Sequence, residues 1–209
     1  MTVRSRVGKL LSSALPPSVF VRRGRADRGG VALTFDDGPD AHTLEYLELL
    51  DRLDVRATFF LVGELCDRRP DLVNAVVARG HEVASHGYTH TRFPKLGHAA
   101  LRDELARSQR ALPPPERGLA MVRPPSGGLS PRSVLLCAAQ GFQTVMWSLD
   151  SDDCRTTSPE VVAQRCAQAT SGEIVLLHEG QSWTLEALPA IVRDLRARGL
   201  EPMTVSELL

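Results

Sequence analysis

The stretch VALTFDDGPD, residues 31–40, decides how this chain is read. Val31 to Phe35 form a short uncharged run with β-branched and aromatic side chains, the pattern of a strand covered on both faces. Asp36 and Asp37 follow at once, and Gly38-Pro39 reverses the chain. An ionised carboxylate is costly to bury without a partner. Two acids at the mouth of a buried strand therefore call for positive charge from elsewhere in the sequence.

Runs of the same kind recur outward from this one. They are ATFFLV (57–62), HEVAS (81–85), AMVR (120–123), QTVMWSL (143–149), EIVLL (173–177) and MTV (203–205). Helix-period segments fall between them. HTLEYLELLDRL (42–53) sets Leu44, Leu47 and Leu50 on one face, and PDLVNAVVARG (70–80) and AALRDELARSQRAL (99–112) follow. SPRSVLLCAAQG (130–141) and SPEVVAQRCAQA (158–169) each open on Ser-Pro, an N-cap with proline in the first turn. TLEALPAIVRDLRARG (184–199) ends at Gly199, as the 130–141 segment ends at Gly141. Seven strands alternating with helices predict a parallel α/β protein. The expected architecture is a barrel of fewer than eight strands, or an incompletely closed one, with outer helices. No GxGxxG phosphate loop interrupts the pattern.

Bulk properties bound the function. The 209 residues fit one domain, and a net charge of zero gives no argument for a nucleic-acid partner. Residues 1–29 hold seven Arg/Lys and the short apolar run LLSSAL (10–15). This stretch is read as a basic arm preceding a catalytic domain at 30–209, with membrane contact at most peripheral. Cys66, Cys137, Cys154 and Cys166 show no CxxC spacing, which favours reduced thiols and a cytoplasmic location.

Polar side chains gather at the strand ends. The first run ends in Asp36-Asp37, the third in His86 and His90, and the fourth in Arg123. The fifth ends in Asp150, Asp152 and Asp153, and the sixth in His178. In a parallel barrel these ends share one face, where active sites sit. Each group has a plain reading by itself: a turn, a solvated loop or a core histidine. Those plain readings do not place all of them at strand C-termini. His42, His81 and His98 lack this placement and read as structural or surface residues. Two imidazoles and a carboxylate suit Zn²⁺, which can lower the pKa of its water to about 7. The same ligand set also occurs in Fe(II) oxygenases, which the strand–helix alternation and the second adjacent acid disfavour.

These residues resemble the polysaccharide deacetylases of carbohydrate esterase family 4, the NodB homology group. The resemblance rests on TFDDGP (34–39), SHGYTH (85–90), RPPSG (123–127), WSLDSDDC (147–154) and IVLLH (174–178). It implies a distorted (β/α)₇ barrel and removal of the N-acetyl group from an N-acetylated amino sugar. It makes Asp36 the general base and Asp37, His86 and His90 the ligands of zinc, or of another divalent metal such as Co²⁺. Arg123 would orient Asp36. His178 would be the general acid and Asp153 its charge partner, with Asp150 the second choice. Pro124, Pro125 and Ser126 would contact substrate, with Trp147 and Leu176 walling the acetyl pocket and the Ser126 backbone N–H facing the oxyanion. Ser126 and Cys154 stand where the family usually carries aromatic residues. Those departures raise the alternative of a catalytically impaired sugar-binding protein, and the same chemistry would serve an N-deformylase.

Overall fold

The computed structural model describes residues 11, 14–115 and 118–209. Its strands are β1 (Phe20–Val21), β2 (Gly30–Asp36), β3 (Thr58–Leu61), β4 (Glu82–Ser85), β5 (Ala120–Val122), β6 (Phe142–Val145), β7 (Leu149–Asp150), β8 (Ile174–His178) and β9 (Glu201–Met203). They pair in parallel in the order β1-β6-β5-β4-β3-β2-β8-β7, with β9 also on β2. The three residues Met146–Ser148 carry the chain from β6, near one end of that order, to β7 at the other. The result is the expected curled, incompletely closed barrel, with nine strands among the described residues where seven were expected.

β2 shows how sequence alternation builds this barrel. All seven of its residues are buried. Val31, Leu33 and Phe35 pack outward in one cluster with Leu47, Leu50 and Ile191 of the surrounding helices. Ala32 packs inward with Phe60, Ala84, Met121, Val145 and Ile174 of other strands. Thr34 and Asp36 share that inward face, because strand side chains alternate. Each fully buried Leu or Phe contributes about 1.5–3 kcal/mol by leaving water, which fixes the polar residues of β2 on the inside.

The helices are α1 (Thr43–Arg52), α2 (Gly63–Arg68), α3 (Pro70–Ala78), α4 (His98–Ala111), α5 (Pro131–Ala139), α6 (Pro159–Cys166), α7 (Ser182–Ala197) and α8 (Val205–Leu208). Ser130 and Ser158 cap α5 and α6 through their side chains, as their Ser-Pro pairs predicted. Among the described residues no helix is long and apolar enough to cross a membrane.

Four expectations are corrected. Leu44 is 43% exposed, and Tyr46 takes the core position beside Leu47 and Leu50. Its ring meets Phe35 edge-on with centroids 5.3 Å apart, and its hydroxyl donates to the Gln181 carbonyl at 2.8 Å. Leu47→Ala should therefore cost about 2–5 kcal/mol in chemical denaturation, and Leu44→Ala no more than about 0.5 kcal/mol. The run QTVMWSL is two strands, because its partner changes: Met146 N donates to Val21 O at 2.8 Å and Ser148 N to Ile174 O at 3.0 Å. MTV stops at Met203, because Thr204 and Glu207 form a capping box that starts α8. Finally, the boundary at residue 30 falls inside the folded unit. β1 pairs with β6, and Leu11 and Phe20 pack with Val134 and Met146. Residues 1–10 and 12–13 of the basic stretch lie outside the described residues.

Candidate active site

Asp36 ends β2 with only 2% of its surface exposed. Arg123 follows β5 and crosses the barrel interior to meet it. Arg123 Nη1 donates to Asp36 Oδ1 at 2.6 Å and to Thr34 Oγ1 at 2.8 Å. The guanidinium is fully buried, 3.9 Å over the Phe60 ring. Burial lowers the arginine pKa, and Asp36 opposes that shift. Because arginine stays protonated in proteins, Asp36 has a permanent counter-charge where a lone carboxylate would be expensive. Its other oxygen, Oδ2, lies 3.6 Å from His86 Nε2.

Asp37 leaves the strand in the left-handed region, φ 77°, a conformation uncommon for residues with a side chain. Its Oδ1 lies 3.0 Å from His90 Nε2 and 3.4 Å from His86 Nε2. His86 Nδ1 sits 2.8 Å from the Arg123 carbonyl oxygen. A carbonyl only accepts, so Nδ1 carries a proton and Nε2 is the ring nitrogen turned toward Asp37. Asp37 Oδ1 is buried and lacks a geometric hydrogen-bond donor. Burial pushes the Asp37 carboxyl up, but the His86 and His90 contacts outweigh it and hold it far below the usual carboxylate range. The Asp37 contact raises His90 in turn, against burial. Positive charge is thus strongly favoured between these three side chains, whose ligand atoms lie within 4.8 Å of one another. Two imidazole nitrogens and one carboxylate oxygen fit a tetrahedral divalent ion with a position left open.

His178 ends β8 in register with Asp36 on the neighbouring strand. Its Nδ1 lies 2.7 Å from Oδ1 of Asp153, which is fully buried. Asp153 Oδ2 accepts from the His178 backbone N–H at 2.8 Å and from Thr184 Oγ1 at 2.9 Å. Burial disfavours the imidazolium, but Asp153 and Cys154 outweigh it and raise His178 to about 11. Asp150 does not share this role. Its Oδ1 accepts from Asp152 N at 3.0 Å and its Oδ2 faces Arg155 at 3.9 Å. Asp152, at φ 59°, turns the chain between the two acids.

The polysaccharide deacetylase family profile matches residues 23–145. The chain belongs to the polysaccharide deacetylase family. A peptidoglycan-N-acetylglucosamine deacetylase of Bacillus cereus is 34% identical over 186 residues, covering 86% of this chain and 87% of that protein. A chitooligosaccharide deacetylase of Bradyrhizobium is 33% identical over 206 residues, covering 88% and 94%. A family 4 carbohydrate esterase from Streptomyces lividans, solved with acetate, superposes with a TM-score of 0.80 at 33% identity, covering 86% and 94%. These relatives bear out the family resemblance and the barrel.

In this deacetylase-family fold one cleft brings together Asp36, Asp37, His86, His90 and His178. Ser126, Trp147 and Leu176 line it too. Pro124 and Pro125, expected as substrate contacts, are instead buried beneath the turn. Pro125 packs on Gly87, where an added Cβ would meet it at 3.3 Å. Their rigid backbone presents Ser126, at φ 52°, to the cleft. His81 is buried and accepts from Ala57 N at 3.2 Å, the structural role expected of it.

Sequence reasoning missed four supporting residues. Thr34 holds Arg123, and its place two residues before Asp36 on one strand face was the available signal. Glu104 accepts from Tyr88 N at 2.8 Å and Thr89 N at 2.7 Å, fixing the segment that carries both histidines. It sits with Leu101, Leu105 and Ser108 on the buried stripe of α4, where a charge is out of pattern. Thr184 braces Asp153. Glu179 is buried against Gly38, whose added Cβ would fall 2.2 Å from Glu179 Oε1, and takes the Thr43 hydroxyl at 2.5 Å. Burial raises its carboxyl to about 8. No spacing rule flagged it.

Proposed function

We propose that this chain is a cation-dependent hydrolase that removes the acetyl group from the nitrogen of an N-acetylated amino sugar. The observation that carries the reading is the register pairing of Asp36 with His178 beside the Asp37–His86–His90 cluster. It supports the reading because it brings a carboxylate and an imidazole with different partners to one cleft. Asp37, His86 and His90 would hold a divalent cation, zinc or cobalt. When bound, that ion supplies Lewis-acid polarisation of the acetyl carbonyl and acidifies water.

The remaining work falls to side chains. Arg123 occupies Asp36 Oδ1, which leaves Oδ2 to take the proton of the attacking water. The Ser126 backbone N–H, at the tip of its turn, is our assignment for the oxyanion donor. Asp153 holds His178 as an imidazolium. Its Nε2 can then protonate the departing amine, which would otherwise leave as an unstable anion. Trp147 and Leu176 would enclose the acetyl methyl. The cleft volume, about 270 Å³, falls below the ~300–1,000 Å³ of pockets for drug-sized ligands. It would admit the acetamido end of one sugar, the rest of a glycan lying outside.

Relatives named for peptidoglycan and for chitooligosaccharides supply the two substrate classes to try. Cation-loaded protein incubated with each should release acetate and free amine in equal amounts. Formate release from an N-formyl sugar with no acetate from N-acetyl sugars would replace the reading with deformylation. Four free cysteines support action in a reducing, cytoplasmic setting.

A further inference from the structure

Of the four cysteines, Cys66, Cys137 and Cys166 are buried, whereas Cys154 is exposed. Cys154 lines the same cleft as the Asp37–His86–His90 cluster. It also belongs to a second cluster. Asp153, Cys154 and His178 each offer a ligand atom, and these atoms lie within 4.8 Å of one another. The chemistry of the two clusters differs. The first offers two nitrogens and an oxygen, and the second offers a nitrogen, an oxygen and a sulfur.

Sulfur, imidazole and carboxylate together form a ligand set for Zn²⁺ and softer divalent ions. Zn–S and Zn–N bonds of about 2.3 and 2.0 Å place two tetrahedral ligands roughly 3.5 Å apart. All three ligand atoms lie within 4.8 Å of one another, so rotation of the exposed Cys154 side chain brings its sulfur to that spacing, while the Asp153 Oδ1–His178 Nδ1 pair, at 2.7 Å, opens to admit the ion. Asp153 is already fixed, because the His178 backbone and Thr184 hold its Oδ2 and leave Oδ1 facing the His178 ring. Asp150 and Asp152 line this side of the cleft as well, with Arg155 set against both.

We propose that Asp153, Cys154 and His178 form a second site, for a thiophilic divalent cation, whose filling switches the enzyme off. On binding, the Cys154 thiol and the His178 imidazolium release their protons to solvent. The sulfur and one imidazole nitrogen become ligands; the ring is then neutral and keeps a single N–H on its other nitrogen, far too weak an acid to protonate the departing amine. Binding requires only the cluster. The loss of activity rests on the proposed role of His178 as acid.

The test is titration of metal-free full-length protein with Co²⁺ or Cd²⁺. Equilibrium dialysis gives the stoichiometry, and the thiolate-to-metal charge-transfer band in the near ultraviolet reports sulfur ligation. Wild type should bind two ions per chain, the band growing with the sulfur site. Cys154→Ser and Cys154→Ala should bind one ion without the band. Asp37→Asn should keep the band while losing the other ion. A band of undiminished strength in both Cys154 variants, or no band in wild type at several equivalents, would overturn the site. In the activity arm, excess Zn²⁺ should reduce wild-type acetate release by about 100-fold relative to one equivalent. Each Cys154 variant should hold the rate it shows at one equivalent. Ligation without inhibition would overturn the switch. Wild type inactive at every loading would instead overturn the deacetylase reading, with the band and stoichiometry still deciding the site.

Discussion

Asp36→Asn is expected to lower kcat by about 10³-fold or more while leaving the bound cation in place. The amide oxygen can still accept from Arg123 Nη1, the bond that Asp36 Oδ1 makes at 2.6 Å. The amide nitrogen then replaces Oδ2 and cannot take a proton from water. None of the ligand atoms of Asp37, His86 and His90 is touched, so cation content measured by dialysis should match wild type. Stability should fall as well. Arg123 is fully buried and would lose its counter-charge, and breaking a buried pair costs about 3–5 kcal/mol. The retained hydrogen bond puts Asn near the lower end of that range. Denaturation midpoints on the assayed samples separate the two effects: lost turnover in folded, cation-bearing protein is the expected combination. Normal turnover would remove Asp36 from the role of base.

Asp153→Asn is expected to cost about 10²–10⁴-fold in kcat, with a change in the pH profile that a structural defect would not give. Asp153 Oδ2 accepts from His178 N and Thr184. An asparagine oxygen that keeps those bonds turns its NH₂ toward His178 Nδ1, where a carboxylate now sits at 2.7 Å. The ring must then accept at Nδ1 and lose its cationic form. In wild type the pair raises His178 to about 11 against the opposing effect of burial, so the ring stays protonated through the neutral range. The variant should bring the alkaline limb of kcat/KM down toward the ordinary histidine value near 6.5. The sign for stability follows the same linkage. A raised folded-state pKa contributes stability that is complete below about 6.5 and lost as pH rises through about 11. Asp153→Asn should therefore narrow the stability gap to wild type at high pH. An unchanged alkaline limb would show that Asp153 does not set the state of His178.

Most of the strands and the residues of the candidate site were legible in the sequence for the same reason. A buried parallel strand is a short apolar run, and its first polar residue marks the end that faces the site. Asp36, His86, Arg123 and His178 follow that rule. Partner changes were not legible, since QTVMWSL keeps one apolar pattern while it passes from β1 to β8. Backbone hand was equally hidden. Asp37 at φ 77° and His90 at φ 58° are left-handed positions that are not glycines, and Gly38 and Gly87 in the same two loops do not mark them. The choice between Asp150 and Asp153 turned on φ 59° at Asp152. Leu44 misled because leucine at helical spacing fits either side of an apolar stripe, and Tyr46 filled the core place. Glu179 shows the limit most clearly, because its partner Gly38 lies on another strand's loop and no local pattern joins them.

In the proposed reaction a cation held by Asp37, His86 and His90 works with Asp36 as base to remove an N-acetyl group. The most direct measurement is acetate release from N-acetylated oligosaccharide by one preparation, assayed after chelation and again after restoring one equivalent of Zn²⁺ or Co²⁺, with Asp36→Asn alongside. Chelated protein should release no acetate, restored protein should release acetate with matching free amine, and Asp36→Asn that has bound its equivalent should release none above background. Undiminished release by chelated protein shown to be cation-free, or by cation-loaded Asp36→Asn, would contradict the proposed reaction.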